Sequence, residues 1–129
     1  MAKEVLVSPK LPATRGIFSH GTRHGNTIYV SGQVALDSQG RIVGTGDIKA
    51  QTRQVLENIK KALTAAGATF KDIIRVHVFV TDLSDFRAVH DVRLEYFDPD
   101  HLPASTLVQV AGLAHADALI EIDAVAAFE

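Results

Sequence analysis

A chain of 129 residues with 47% hydrophobic and 22% charged residues has the profile of one ordinary globular domain built on one core. Its formal net charge of −2 argues against an electrostatic grip on nucleic acid or on an anionic membrane, so neither is an expected partner. The lack of cysteine excludes thiolate chemistry, disulfides and cysteine-ligated zinc.

No linker, low-complexity tract or tandem repeat interrupts residues 1–129, which read as a single domain. Met1-Ala2-Lys3-Glu4 has no apolar run behind a basic start, so no secretory leader is expected. Every apolar run is broken by Arg, His, Asp or Glu before it reaches membrane-spanning length, and the expectation is a cytoplasmic protein. A short strand is placed at Glu4 to Val7. Gly16 to His24 and the β-branched, aromatic stretch Thr27 to Ser31 pair as a hairpin about Gly25-Asn26, and Gly32 ends the second strand. After the polar loop Asp37 to Gly46, Asp47 is an N-cap. Behind it Ile48, Thr52, Val55, Leu56, Ile59, Leu63 and Ala66 recur at helical spacing as far as Gly67 at C′.

Ile73 to Thr81 alternates as a strand, with Ile74, Val76, Val78 and Val80 on one side and Ile73, Arg75, His77 and Phe79 on the other. Ser84 is the expected cap of a second helix that runs to about Phe97, where Asp98-Pro99 breaks it. Ser105 to Val110 and Ala118 to Phe128 are the last strands, joined through Gly112. The order ββαβαββ predicts an α+β sandwich, a sheet with both helices on one face. The other face would present Leu107, Leu119 and Val125 with no helix to cover them, which points to a partner subunit.

Two positions break the apolar pattern. On a helical wheel Phe86, Val89 and Phe97 define the buried face of the second helix, yet His90 and Arg93 fall in its middle. Burying a cation costs several kcal/mol unless it is paired, so Arg93 has either a carboxylate partner or an opening onto a cleft. Glu121 stands in the apolar run Leu119-Ile120-Glu121-Ile122-Asp123-Ala124-Val125. There it is either the partner of an arginine or a carboxyl with a raised pKa that can move protons. The histidines do not make a metal site: His20 and His24, with Gly21 and Gly25 interleaved, lie about 13 Å apart along an extended segment. His77 reads as a packed or hydrogen-bonded group, and His101 and His115 fall in loops. Gly44-Thr45-Gly46 lacks the lysine and spacing of a phosphate loop, and Ser31-Gly32 lacks the frame of a nucleophile elbow.

Several stretches, in order, resemble signatures of the RidA (YjgF) family of reactive-intermediate deaminases. They are Val30-Ser31-Gly32-Gln33-Val34, Gln51-Thr52-Arg53-Gln54-Val55-Leu56-Glu57-Asn58 and Val78-Phe79-Val80-Thr81-Asp82-Leu83-Ser84-Asp85-Phe86. Pro103-Ala104-Ser105-Thr106 with Ile120-Glu121-Ile122-Asp123-Ala124-Val125-Ala126 resembles the family's C-terminal hairpin. The resemblance implies a chorismate-mutase-like homotrimer with small-molecule sites in clefts between subunits. It implies hydrolysis of enamines and imines to carbonyl compounds and ammonia, with no cofactor and no metal. Residue by residue, it implies that Glu121 positions the attacking water and that Ser31, Gly32 and the aromatic Phe18 help hold substrate.

The chain departs from the family pattern at the substrate end. The arginine that clamps the substrate carboxylate directly after the Pro-Ala pair is here Ser105, which offers no charged fork. The Gly-Pro-Tyr-Ser-Gln stretch reads Gly16-Ile17-Phe18-Ser19-His20, and the asparagine usual on the second helix is His90. Arg93 and His20 are the candidates to replace the clamp, and Leu107 completes the expected substrate-binding set. The leading functional reading is an enamine or imine deaminase. The alternatives are a non-catalytic, metabolite-binding or regulatory member of the family and an RNA-directed role, the last disfavoured by the acidic balance.

Overall fold

A computed structural model describes residues 2–129 of the chain. The strands are β1 (Glu4–Leu6), β2 (Gly21–His24), β3 (Thr27–Gln33), β4 (Ile73–Val80), β5 (Ala104–Gln109) and β6 (Ile120–Ala127); the helices are α1 (Ile48–Ala65) and α2 (Phe86–Arg93). They form a six-stranded sheet in the order β1-β2-β3-β6-β4-β5, in which β4 and β5 run parallel and every other pair is antiparallel. Both helices cover the same face, as the sandwich reading expects.

Helix α1 forms where its signals place it. The Asp47 carboxylate accepts from the Ala50 N–H at 3.0 Å, satisfying one of the free donors of the first turn. At the other end Gly67 takes a positive φ of 76°, and the Gly67 and Ala68 N–H groups return to the Thr64 and Leu63 carbonyls. Between these caps Val55, Leu56, Ile59 and Leu63 are fully buried. They meet Ile28 and Val30 of β3, Val76, Val78 and Val80 of β4 and Ile120, Ile122 and Ala124 of β6 in one hydrophobic cluster. Gln51, wholly buried among them, donates to the carbonyls of Gly44 and Asp117 and accepts from the Leu119 N–H at 2.8 Å. It thereby ties the start of α1 to the entry of β6.

Several expectations need correction. The last two strands do not pair with each other: β4 inserts between them, so β5 is an edge strand and β6 is central. The parallel register sets Ser105, Leu107 and Gln109 beside Val76, Val78 and Val80, on the helix-covered face. Leu107 therefore packs against the core and is not on the open face. The strict alternation expected along β4 is broken by a bulge, since Ile73 pairs with Ala126 and Arg75 with the adjacent Val125. The bulge turns Ile73 inward to 5% exposure and leaves Ile74 outside at 54%.

The second helix is shorter than its spacing suggested. A 3₁₀ turn at Leu83–Asp85 precedes it, Asp82 rather than Ser84 supplies the capping oxygen, and the helix proper ends at Arg93. Its buried residues are Val89 and Val92, with Phe97 following in the next turn, while Phe86 stands 53% exposed. The buried side runs through Val89 and Val92, so Phe86, the first residue of the helix, and His90, expected in the middle of the buried face, are both exposed, and Arg93 is partly buried. The open face of the sheet is also less apolar than expected. Tyr29, Val125, Phe79 and Val108 share it with the hydrogen-bonded chain Asp123, His77, Arg75 and Thr106.

Candidate functional site

The chemistry-bearing residues fall into two groups on different faces of the sheet. The first is built on β3 and β6. Between Val30 and Gln33, β3 carries an extra residue relative to β6, a bulge centred on Ser31-Gly32. Glu121 lies on the open face of β6, paired across β4 with Phe79. Its side chain lies directly on the Gly32 backbone: an ideal Cβ at position 32 would fall 2.3 Å from Oε2 and 2.8 Å from Cδ. Only glycine admits this contact.

Burial raises the Glu121 pKa above the ordinary carboxyl value, and the nearby Asp123 charge adds to the rise. Among the described residues no group donates a hydrogen bond to the Glu121 carboxylate, and none of its oxygens is sealed from solvent. A partly desolvated carboxylate with free lone pairs has the equipment of a general base.

The bulge also holds the loop before β2. The Ser31 Oγ donates to the Ser19 carbonyl at 2.5 Å, and the Ser31 N–H donates to the His20 carbonyl at 2.9 Å. His20 donates through Nε2 to the Pro12 carbonyl at 2.6 Å and accepts at Nδ1 from the Gln33 side chain at 3.1 Å. Both ring nitrogens are thus engaged within the chain. Phe18, half exposed, meets the His20 ring edge-on at 5.6 Å.

The second group lies on the helix side. His90 and Arg93 of α2 and Ser105 of β5 line one cleft of about 250 Å3, walled by Phe86, Phe97 and Leu102. The His90 ring stacks parallel to Phe86 at 6.4 Å. The Arg93 guanidinium sits 5.9 Å over the Phe97 ring, and no carboxylate is within ion-pair distance of it among the described residues. Of the alternatives raised by the helical wheel, the carboxylate partner within the chain is not found among the described residues.

One chain therefore brings Ser31, Gly32 and Glu121 together with the loop of Phe18 and His20, and separately brings His90, Arg93 and Ser105 together. It does not join the two groups, and Leu107 belongs to neither. Sequence reasoning missed the polar chain on the open face. Asp123 meets His77 Nδ1 at 2.7 Å, Arg75 donates to His77 Nε2 at 3.0 Å, and Arg75 reaches Thr106 at 2.7 Å. The alternation in β4 and β6 showed each residue's side, but the pairing of those strands was needed to bring them together. Among the described residues no group of His, Asp and Glu could hold a metal ion, and no helix is long and apolar enough to cross a membrane.

The sequence profile of the family described as endoribonuclease L-PSP matches residues 9–128. The chain is 42% identical over 126 residues to a RutC family protein of Pyrococcus abyssi, covering 98% of both sequences. It is 43% identical over 126 residues, again 98% of both, to the 3-aminoacrylate deaminase RutC of Acinetobacter baylyi. Among solved structures, the YjgF gene product of Escherichia coli matches with a TM-score of 0.89 at 35% identity, covering 98% of this chain and 99% of that one. E. coli TdcF with bound serine matches with a TM-score of 0.88 at 34% identity and the same coverage of both chains. A profile spanning nearly the whole length, relatives aligned end to end and a shared fold lead to one conclusion: the chain belongs to the RidA/YjgF family.

Proposed function

We propose that this protein is a cytoplasmic, homotrimeric deaminase that hydrolyses a reactive enamine or imine to a carbonyl compound and ammonia, without cofactor or metal. The observation that carries the reading is Glu121, a carboxylate with a raised pKa and no hydrogen-bond donor among the described residues, lying against Gly32 where an added Cβ would meet it. An enamine first takes a proton on carbon and gives one up from nitrogen to the medium, becoming the imine. Glu121 then removes a proton from water as the water oxygen bonds to the imine carbon, and the C=N electron pair moves onto nitrogen. The carboxyl returns its proton to that nitrogen, giving the carbinolamine. It next accepts the hydroxyl proton and hands it to nitrogen; the C–N bond breaks, the carbonyl forms and ammonia leaves.

The two separated groups of side chains favour a trimer in which the site spans a subunit boundary. Tyr29, Phe79 and Val125 on the open face supply apolar surface for a neighbour. In this reading Ser31, Gly32 and Phe18 shape the pocket around Glu121, with His20 holding the loop in place. His90 and Ser105 of the adjoining protomer face the other end of the substrate. The printed activity of the A. baylyi relative, 3-aminoacrylate deamination, is the same reaction class. An RNA-directed role has less support, because a net charge of −2 supplies no grip on a phosphate backbone.

The test is ammonia release from 2-aminoacrylate and 3-aminoacrylate generated in situ, with and without the protein. Acceleration of either, lost in Glu121→Ala and Glu121→Gln while sedimentation still reports a trimer, is the expected result. Full activity in both variants, or no acceleration of either compound, overturns it. A stable monomer at micromolar concentration would remove the interfacial site.

A further inference from the structure

Among the described residues Arg93 is the arginine that is partly buried yet has no hydrogen-bond or ion-pair partner, whereas Arg15 and Arg87 are exposed. Arg41 and Arg53 lie against carboxylates, Arg75 against Thr106 and His77, and Arg23 against the Gly25 carbonyl and the Phe128 ring. The Arg93 guanidinium sits 5.9 Å over the Phe97 ring with no ion-pair or hydrogen-bond partner among the described residues, and burial lowers its pKa with no neighbouring charge to offset the loss of water. Its guanidinium carries five donors, none bonded to a described residue and none fully sealed. Arg93 lines the same cleft as Ser105.

A cation placed in a mostly apolar cleft without a counter-ion is costly, and an anion entering the cleft removes that cost. Ser105 leaves room opposite, because its short side chain on the exposed start of β5 occupies little of the cleft. His20 is not an equivalent candidate, since both its ring nitrogens are already engaged.

We infer that Arg93, in the last turn of α2, is the carboxylate clamp of this protein, holding the acid group of a small substrate by a two-pronged contact from the helix instead of from position 105. The inference rests on the deaminase reading for its substrate, a short-chain acid bearing the enamine or imine, and it is tested apart from turnover. The phenyl rings of Phe86 and Phe97 and the Leu102 side chain leave an apolar margin around the charge, which suits a small acid with few further polar groups. Charge-assisted forks of this kind are the strong ones among hydrogen bonds.

The probe is pyruvate, an unreactive carboxylate of product type, titrated into the intact protein and followed by calorimetry and by the His90 ring signals in NMR. Saturable binding is expected, weakened about tenfold to a hundredfold in Arg93→Met and less in Arg93→Lys, which keeps the charge but loses the fork. The neutral isostere pyruvamide should bind the wild type and Arg93→Met alike. In the double variant Arg93→Met with Ser105→Arg, pyruvate binding should return, because the cation re-enters the same cleft from β5. That rescue also guards against a variant that merely misfolds. No saturable pyruvate binding to the wild type at ~10 mM, or equal binding by wild type and a folded Arg93→Met, overturns the clamp. Wild-type turnover with unchanged KM in Arg93→Met overturns the clamp but leaves the deaminase reading standing. Arg93-dependent pyruvate binding without any turnover sustains the clamp and removes the deaminase.

Discussion

Replacing Gly32 by alanine puts the proposed chemistry under a small and calculable stress. The added methyl would lie 2.3 Å from Glu121 Oε2, 2.8 Å from Cδ and 3.1 Å from Cγ. Ordinary contact begins near 3.5 Å, so the carboxylate has to retreat by about 1 Å. The backbone at Gly32 has no positive φ, so alanine is not strained there. The Glu121 carboxyl end is partly exposed and can swing aside, and global stability should change by less than about 1 kcal/mol. Catalysis should suffer far more, because a displacement of about 1 Å at a reacting group can cost ~100-fold in rate. The assay is kcat for ammonia release, read beside thermal melting and an NMR titration of the Glu121 carboxyl carbon. The carboxyl should titrate lower than in the wild type, since moving outward restores the water that burial removed. Wild-type kcat in a folded Gly32→Ala protein would refute the reasoning. So would lost activity with an unmoved Glu121 titration, which would place the damage elsewhere.

Because the folded pKa of Glu121 is raised, its ionisation opposes folding: its contribution is fully present below the ordinary carboxyl range and is lost as pH rises through the folded value. Glu121→Gln should therefore raise Tm near neutral pH, with the gap closing in acid; a lower Tm at neutral pH contradicts the burial argument. In the wild type the acid limb of kcat should lie above the range of an ordinary glutamate, which a pH–rate profile measures. Gln51→Leu strands the Leu119 N–H and two carbonyls, and should cost about 2–3 kcal/mol in urea denaturation. An unchanged urea midpoint would mean those groups find other partners. Co-refolding equal amounts of the Glu121→Gln and Arg93→Met chains, assayed at substrate concentrations too low to fill a site lacking Arg93, should restore about a quarter of the wild-type sites if each site spans two subunits, and none if both residues act within one chain.

Helix α1 was legible to its caps because Asp47, the apolar stripe and Gly67 are local signals that tertiary packing reinforced. Helix α2 was misjudged at both ends. Asp82, Ser84 and Asp85 all suit a cap, and the 3₁₀ turn there delays the helix, while packing against the core selects the side through Val89 and Val92. The pairing of β4 between β5 and β6 was invisible, because alternation assigns sides to a strand but says nothing of its neighbour. The same gap concealed the bulge at Ile74 and the true side of Leu107. Glu121 was legible as a lone carboxylate in an apolar strand. Its contact with Gly32 was not, since the two residues lie 89 positions apart in the chain and meet only through the β3–β6 register.

The position of each group in the sheet bears on how the protein divides its labour. Glu121 stands on β6, held by hydrogen-bond ladders from β3 on one side and β4 on the other, with Ile120 and Ile122 locked into the core beneath it. A general base needs a fixed position more than it needs chemical variety, and a central strand supplies that. Arg93 and Ser105 stand on an eight-residue helix and at the exposed start of an edge strand, where a side chain can be exchanged without disturbing a ladder on both sides. Substitutions at 32 and 121 should therefore act on kcat. Substitutions at 93 and 105 should act on KM and on which acid is accepted, because under the proposed function they change how substrate is held and leave the proposed water-activating group where it is.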